Sequence, residues 1–197
     1  MPDRIINFTA TLIGLVLISP ILLLLHFLVK KQMGTPVLFR QKRPGLNGIP
    51  FYMYKFRTMT NDCQIDGCLL PDCDRLTSLG RFLRSTSLDE LPELFNILKG
   101  EMNLVGPRPL LMQYLDRYTP EQARRHEVRP GITGWAQING RNALSWEEKF
   151  KLDVWYVDNQ TLWLDIRILL LTFIKVFQRE GISADGEATM QEFNPQE

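Results

Sequence analysis

Histidine is nearly missing from this chain, with two in 197 residues, and one of them, His26, lies inside a long uncharged run. That leaves His126 alone for histidine-dependent catalysis, and no nucleophile-elbow motif accompanies it. His126 reads as the partner of a neighbouring charge. Cysteine is almost as sparse. Cys63, Cys68 and Cys73 share one polar stretch, an odd number at five-residue spacing, and no fourth ligand completes a zinc pattern. Reduced thiols facing the cytosol are the expectation. Neither the P-loop nor the dinucleotide-binding glycine spacing is present. A formal net charge of +1 supplies no global field, so no nucleic-acid partner is expected. The chain has no internal repeat and no low-complexity tract.

One absence is local. Ile5 to Val29, 25 residues, contains no Lys, Arg, Asp or Glu. As a helix it would reach about 37 Å, enough to cross a hydrocarbon core of about 30 Å with tilt. A cleaved signal peptide fits poorly, because the run is long and Lys30 and Lys31 follow instead of a small-residue cleavage site. Pro20 removes the helical hydrogen bond to the Val16 carbonyl, and Ser19 beside it can bond back to a preceding carbonyl. Two readings stay open on these residues: a kinked spanning helix, or a re-entrant element whose arms enter and leave one leaflet. Basic residues at both ends, Arg4 and then Lys30 and Lys31, suit the second.

What is present is unevenly placed. From Lys30 to Asn61 there are seven basic residues and no acid; from Glu180 onward there are five acids and no base. A basic block directly after an apolar run reads as a membrane-surface or anion-facing region. Two β-rich runs, 37–41 and 50–59, flank a loop with Pro-Gly and Asn-Gly pairs and predict a hairpin. Alternation puts Lys55 and Arg57 on one face of the second run, either an anion site or a solvated edge. Helical spacing then places Leu76, Leu79, Phe82 and Leu83 on one side. Gly100 suits a helix C-cap and Pro120 a helix start. "RPGITGWAQINGRN" is too irregular for a strand or a helix. Ser145 and Glu148 form a capping box, and residues 162–179 predict a helix with a narrow polar stripe of Asp165, Thr172, Lys175 and Arg179. That helix packs on the core or lies in a membrane interface. The last dozen residues read as loosely ordered.

The stretch "SLDELPEL", residues 87–94, is ambiguous by itself. Ser87 and Glu90 have capping-box spacing, and Pro92 puts a fresh helix start near Asp89. Acids there are favoured by the helix dipole, which would lower their pKa and keep them ionised. They are cap residues or chemistry. With histidine and transition-metal chemistry set aside, an Asp-Glu pair among many loop arginines is what phosphoryl transfer uses: a carboxylate attacks phosphorus or holds Mg²⁺, and cations neutralise the transferring group.

Several ordered motifs, "LISPI", "YKFRTM", "LRSTSLDELPELFNILKGEMNLVGPRPLL" and "HEVRPGITGWAQINGRNALSWEEKFKLDVWY", resemble the bacterial sugar transferase family, the monotopic phosphoglycosyl transferases. The resemblance runs over essentially the whole chain and is similar to the short members, which include undecaprenyl-phosphate bacillosamine-phosphate transferases of protein N-glycosylation. It implies a mainly α fold with a small β-hairpin. Residues 1–31 would form a re-entrant membrane helix broken at Ser19 and Pro20. Residues 32–197 would form a catalytic domain with interfacial amphipathic helices, on the cytoplasmic face of the bacterial inner membrane. It implies transfer of a sugar-1-phosphate from a UDP-sugar, such as UDP-diacetylbacillosamine, to polyprenyl phosphate with release of UMP. Asp89 would be the nucleophile and the Mg²⁺ ligand, and Glu90 its partner. Lys55, Arg84, Arg108, Arg141 and Asp153 would surround the phosphates. The competing expectation is a non-catalytic, membrane-attached anion-binding or scaffold protein.

Overall fold

The uncharged run folds into one helix, α1 (Pro2–Met33), with Pro20 inside it. The computed structural model describes residues 2–61, 70–140, 144–178 and 192–194. Among these, α1 runs as one continuous element through Pro20. Its ladder is patched where proline breaks it: the Ser19 hydroxyl donates at 2.8 Å to the carbonyl of Val16, the acceptor that Pro20 cannot serve. One stripe of α1 is buried, through Thr11, Leu15, Leu25 and Val29, at helical spacing on both sides of the proline. The rest of its surface is exposed and apolar, with Leu17 at 73%.

Both ends of α1 are fastened to the remainder of the chain. Near its start, Asn7 Oδ1 accepts from the Leu104 amide at 2.8 Å, and the Arg4 guanidinium lies beside Gly100. Near its end, Leu25 and Val29 pack with Val37, Phe56 and Leu83. Arg57 closes that end by donating to the carbonyls of Met33 and Pro36 at 3.2 and 3.0 Å. Arg57 is therefore a buried latch and does not share an anion-facing surface with Lys55. The alternation stops one residue before it, because the strand ends at Phe56.

The hairpin forms as expected from β1 (Leu38–Pro44) and β2 (Pro50–Phe56), antiparallel, with Phe39 opposite Lys55. The short α2 (Asp72–Arg75) leads to α3 (Ser78–Ser85), where the Thr77 hydroxyl accepts from the Gly80 amide at 2.9 Å. A 3-10 turn, Leu88–Glu93, then runs into α4 (Leu94–Lys99), which ends at Gly100 in the left-handed conformation.

β3 (Asn103–Val105) pairs in parallel with β4 (Gly131–Thr133), inside the stretch expected to be irregular. Three-residue strands carry too few positions to show a period. Their pairing depends on close backbone approach: a Cβ on Gly106 would meet the Arg129 carbonyl oxygen at 2.3 Å, and one on Gly131 would meet the Gly106 nitrogen at 2.1 Å. Between them lies α5 (Pro120–Ala123), with a Thr119 capping box. After β4 come α6 (Trp135–Ile138) and α7 (Trp146–Asn159), which starts at the expected Ser145–Glu148 box.

The last helix, α8 (Leu162–Gln178), is amphipathic the wrong way round for a water-soluble protein. Its polar stripe faces inward: Asp165 accepts from the Tyr156 hydroxyl at 2.7 Å, and Thr172 bonds the Thr133 hydroxyl at 2.6 Å. Arg179 lies outside the described residues. Trp163, Leu170, Phe173 and Ile174 are left exposed. The helix packs on the core, as one of the two expectations had it, through Leu164 and Ile168 beside Val105, Ile138 and Tyr156. Phe193, in the segment expected to be loose, is buried against Tyr114 and Phe150. The expected architecture, mainly helical with a small sheet and one long apolar N-terminal helix, is what the chain adopts.

Candidate active site

The 3-10 turn sets two adjacent carboxylates in different surroundings. Ser87 sits at its start with φ of 56° and makes no side-chain cap, so the capping-box expectation fails there. The Glu90 side chain is committed elsewhere. It accepts from Lys55 Nζ at 2.6 Å and pairs with the Arg108 guanidinium. Lys55 comes from β2, and Arg108 from the loop after β3. Burial opposes Glu90 ionisation, yet Arg108 and Lys55 together hold its pKa well below the usual range. Glu90 in return pushes the Arg108 pKa up.

Asp89 is the contrast. Among the described residues its carboxylate enters no hydrogen bond or ion pair, and the residue is 8% exposed. Burial, then the charge on Glu90, raises its pKa to about 6, against the partial pull of Lys55, Arg108 and Arg84. The lowered pKa expected from the helix dipole is thus overturned. A six-residue 3-10 turn has weak dipole alignment, and desolvation beside a second carboxylate outweighs it. Arg84 lies within electrostatic reach and donates from Nε to Thr58 Oγ1 at 3.1 Å.

The structure brings Asp89, Glu90, Lys55, Arg84 and Arg108 together. Arg141 lies outside the described residues, as do Cys63 and Cys68. Asp153, expected to face the phosphates, is buried one layer behind. Its carboxylate pairs with Arg125 at 2.6 Å, and Arg125 also donates to the Arg108 carbonyl at 2.8 Å. Asp153 thus supports the backbone that presents Arg108. His126 is held neutral, its pKa lowered to about 4 by burial and by Arg125.

Three participants carried little sequence signal. Glu93, 2% exposed, has a carboxylate oxygen 3.3 Å from Lys55 Nζ, and burial followed by Glu90 lifts its pKa to about 7. Arg43 on β1 is lowered to about 10 by burial and by Arg108. Arg125 is the third. Only Glu93 could have been found, from its place one helical turn after Glu90.

The bacterial sugar transferase family model matches residues 1–179. This chain belongs to the bacterial sugar transferase family. Among sugar transferases it is 57% identical over 190 residues to the uncharacterized sugar transferase EpsL of Bacillus subtilis, covering 96% of this chain and 94% of EpsL. It is 40% identical over 184 residues to a UDP-glucose:undecaprenyl-phosphate glucose-1-phosphate transferase of Caulobacter vibrioides, covering 86% and 67% of the two chains. It is 40% identical over 192 residues to the galactosyl transferase CpsE of Streptococcus agalactiae, covering 90% of this chain and 42% of that relative. The chain thus spans nearly all of one sugar transferase and about two fifths of another.

Proposed function

We propose that this protein moves a sugar-1-phosphate from a UDP-sugar to polyprenyl phosphate and releases UMP. The observation that carries this reading is the split dyad: Asp89 is buried, without a direct partner among the described residues and within reach of three cations, beside Glu90 already neutralised by Lys55 and Arg108. Phosphoryl transfer needs an available nucleophile and preorganised positive charge for the equatorial oxygens. An Asp89 carboxylate oxygen attacks the sugar-linked phosphorus, the bond to the bridging oxygen breaks, and UMP departs with that electron pair. An oxygen of the acceptor phosphate then attacks the same phosphorus. The bond to Asp89 breaks, the carboxylate is restored, and a polyprenyl diphosphate-sugar leaves. Neither step needs histidine, which suits a chain whose one available histidine is neutral and half-buried.

No three His, Cys, Asp or Glu side chains gather into a metal cage among the described residues. Mg²⁺ commonly takes one or two protein carboxylates together with substrate phosphate and water. Asp89 fits that part, while Glu90 is occupied by its cations. Bound by Asp89 and the donor diphosphate, Mg²⁺ would supply neutralising charge to the leaving UMP. Among donors, we favour an N-acetylated amino sugar such as diacetylbacillosamine, on the likeness to short family members. The relatives named for glucose or galactose make those UDP-sugars the controls.

We also place both termini of α1 on the cytoplasmic side of the membrane, with α1 re-entrant. Support comes from its two fastenings, Asn7 to Leu104 and Met33 to Arg57, which hold both ends on one body. Cysteine placed at residue 3 should resist an impermeant reagent added to intact cells; labelling would restore a spanning helix. For the chemistry, purified protein with Mg²⁺ and a panel of UDP-sugars should release UMP and retain a phosphosugar on Asp89. A scaffold protein would bind and release nothing.

A further inference from the structure

A slot opens beside Glu90, the residue next to Asp89. Leu94, Leu104 and Leu169 wall it, Glu90, Arg108 and Lys175 also line it, and its volume is about 220 Å³. Drug-sized ligands occupy pockets of roughly 300–1,000 Å³, so a nucleotide sugar is too large for it. Its walls belong to the parts of the chain that turn apolar surface outward. Leu169 is on α8, 36% exposed and next in sequence to Leu170 at 63%. Leu104 is held to α1 through Asn7. Arg108 is 43% exposed along its side chain, so its charge is open to a ligand even while it pairs with Glu90. A bigger groove of about 1000 Å³, between α1 and the hairpin, is lined by Leu23, His26 and Phe95 but by neither Glu90 nor Arg108, and Asp89 lines neither cavity.

We propose that the slot takes the phosphate end and first isoprene units of the acceptor lipid, with the remaining chain leaving along the outer face of α8. This rests on the transferase reading above and assigns the acceptor to one place within it. Charge complementarity and apolar walls select the occupant together. Arg108 and Lys175 suit the phosphate, and the leucine walls suit a branched hydrocarbon that no sugar or nucleotide resembles. The small volume admits only the head of the chain, which delivers a phosphate oxygen to the phosphorus on Asp89 while the tail stays in the bilayer.

The test uses the full chain in lipid nanodiscs. A polyprenyl phosphate carrying a diazirine near its phosphate end should crosslink to peptides containing Leu94, Leu104 or Leu169, and undecaprenyl phosphate should compete while UDP-sugar does not. Crosslinks confined to Leu23, His26 and Phe95 would overturn the assignment. In kinetics, Leu169→Trp, which fills the slot, and Leu169→Gln, which leaves it open but polar, should lower acceptor transfer relative to phosphosugar loading by about tenfold or more. A rise in the UDP-sugar KM with that ratio preserved would mean the slot holds the sugar; no change in either variant would mean it holds nothing. Failure of the transferase reading looks different: wild type releases no UMP from any UDP-sugar, while the crosslink still reports the slot.

Discussion

The protein contains two clusters of opposite charge a few residues apart in space, and they are built to opposite ends. Arg125 and Asp153, 2% and 4% exposed, satisfy one another, and the spare Arg125 donors go to Tyr118 and the Arg108 carbonyl. Around the 3-10 turn, Lys55, Arg84 and Arg108 face three carboxylates; Lys55 and Arg108 contact Glu90 and Lys55 contacts Glu93, while Asp89 has no direct partner among the described residues. Burial pushes Asp89 and Glu93 towards protonation, as it also does Asp153. A balanced buried pair holds structure. A cluster that leaves one carboxylate without a direct partner keeps the capacity to take up a charged substrate, at some cost in stability. Burial alone does not separate the two; the accounting of partners does.

Breaking each cluster should give opposite results. Asp89→Asn should lower turnover by several orders of magnitude and abolish covalent labelling. At neutral pH its melting temperature should equal or exceed that of wild type, because a buried charge beside Glu90 is gone. A covalent adduct persisting in this variant would refute the nucleophile. Asp153→Ala should do the reverse, destabilising the fold by about 3–5 kcal/mol in chemical denaturation, since Arg125 is left charged and buried. Its residual activity, measured below the new midpoint, should fall much less than that of Asp89→Asn.

Smaller effects sharpen the contrast. Arg108→Lys should raise the UDP-sugar KM by about tenfold, because lysine cannot reproduce a forked contact with phosphate. Unchanged UMP release at subsaturating donor would exclude Arg108 from phosphate binding. The loading step should weaken as pH falls through about 6, where Asp89 takes up a proton. The stability effect has the opposite sign. A carboxyl with a raised folded pKa binds its proton more tightly in the native state, so native stability is fullest below about 4.5 and declines as pH rises. For Glu93 the decline ends near pH 7. Glu93→Gln should remove that part of the slope in melting curves taken from pH 5 to 8.

The legible elements were those with many residues per signal. The uncharged run of α1, the hairpin punctuated by Asn-Gly and the capping box before α7 each repeat a pattern over several positions, whereas of the apolar side expected for α3 Leu79 and Leu83 pack in the core, Phe82 is exposed and Leu76 precedes the helix. β3 and β4 are three residues each, and Gly106 and Gly131 matter for what their backbones meet across 25 positions of chain, which no local window contains. The dyad was legible through resemblance. The inverted pKa of Asp89 was not, because desolvation depends on what folds over the residue. Arg125 looked like one cation among 23. Its importance comes from touching Asp153 and the Arg108 carbonyl at once.

The Ser19 hydroxyl has a consequence for assembly. Inside hydrocarbon an orphaned carbonyl ordinarily demands a donor from a neighbouring helix or an ordered water. Val16 obtains its donor three residues along its own chain. The proline break in α1 is thus solvated by the helix that contains it, and it asks nothing of a second subunit, of lipid headgroups or of trapped water. Ser19→Ala should convert the element into one that recruits a donor from elsewhere, read out as a larger oligomeric state than that of wild type in dilute detergent.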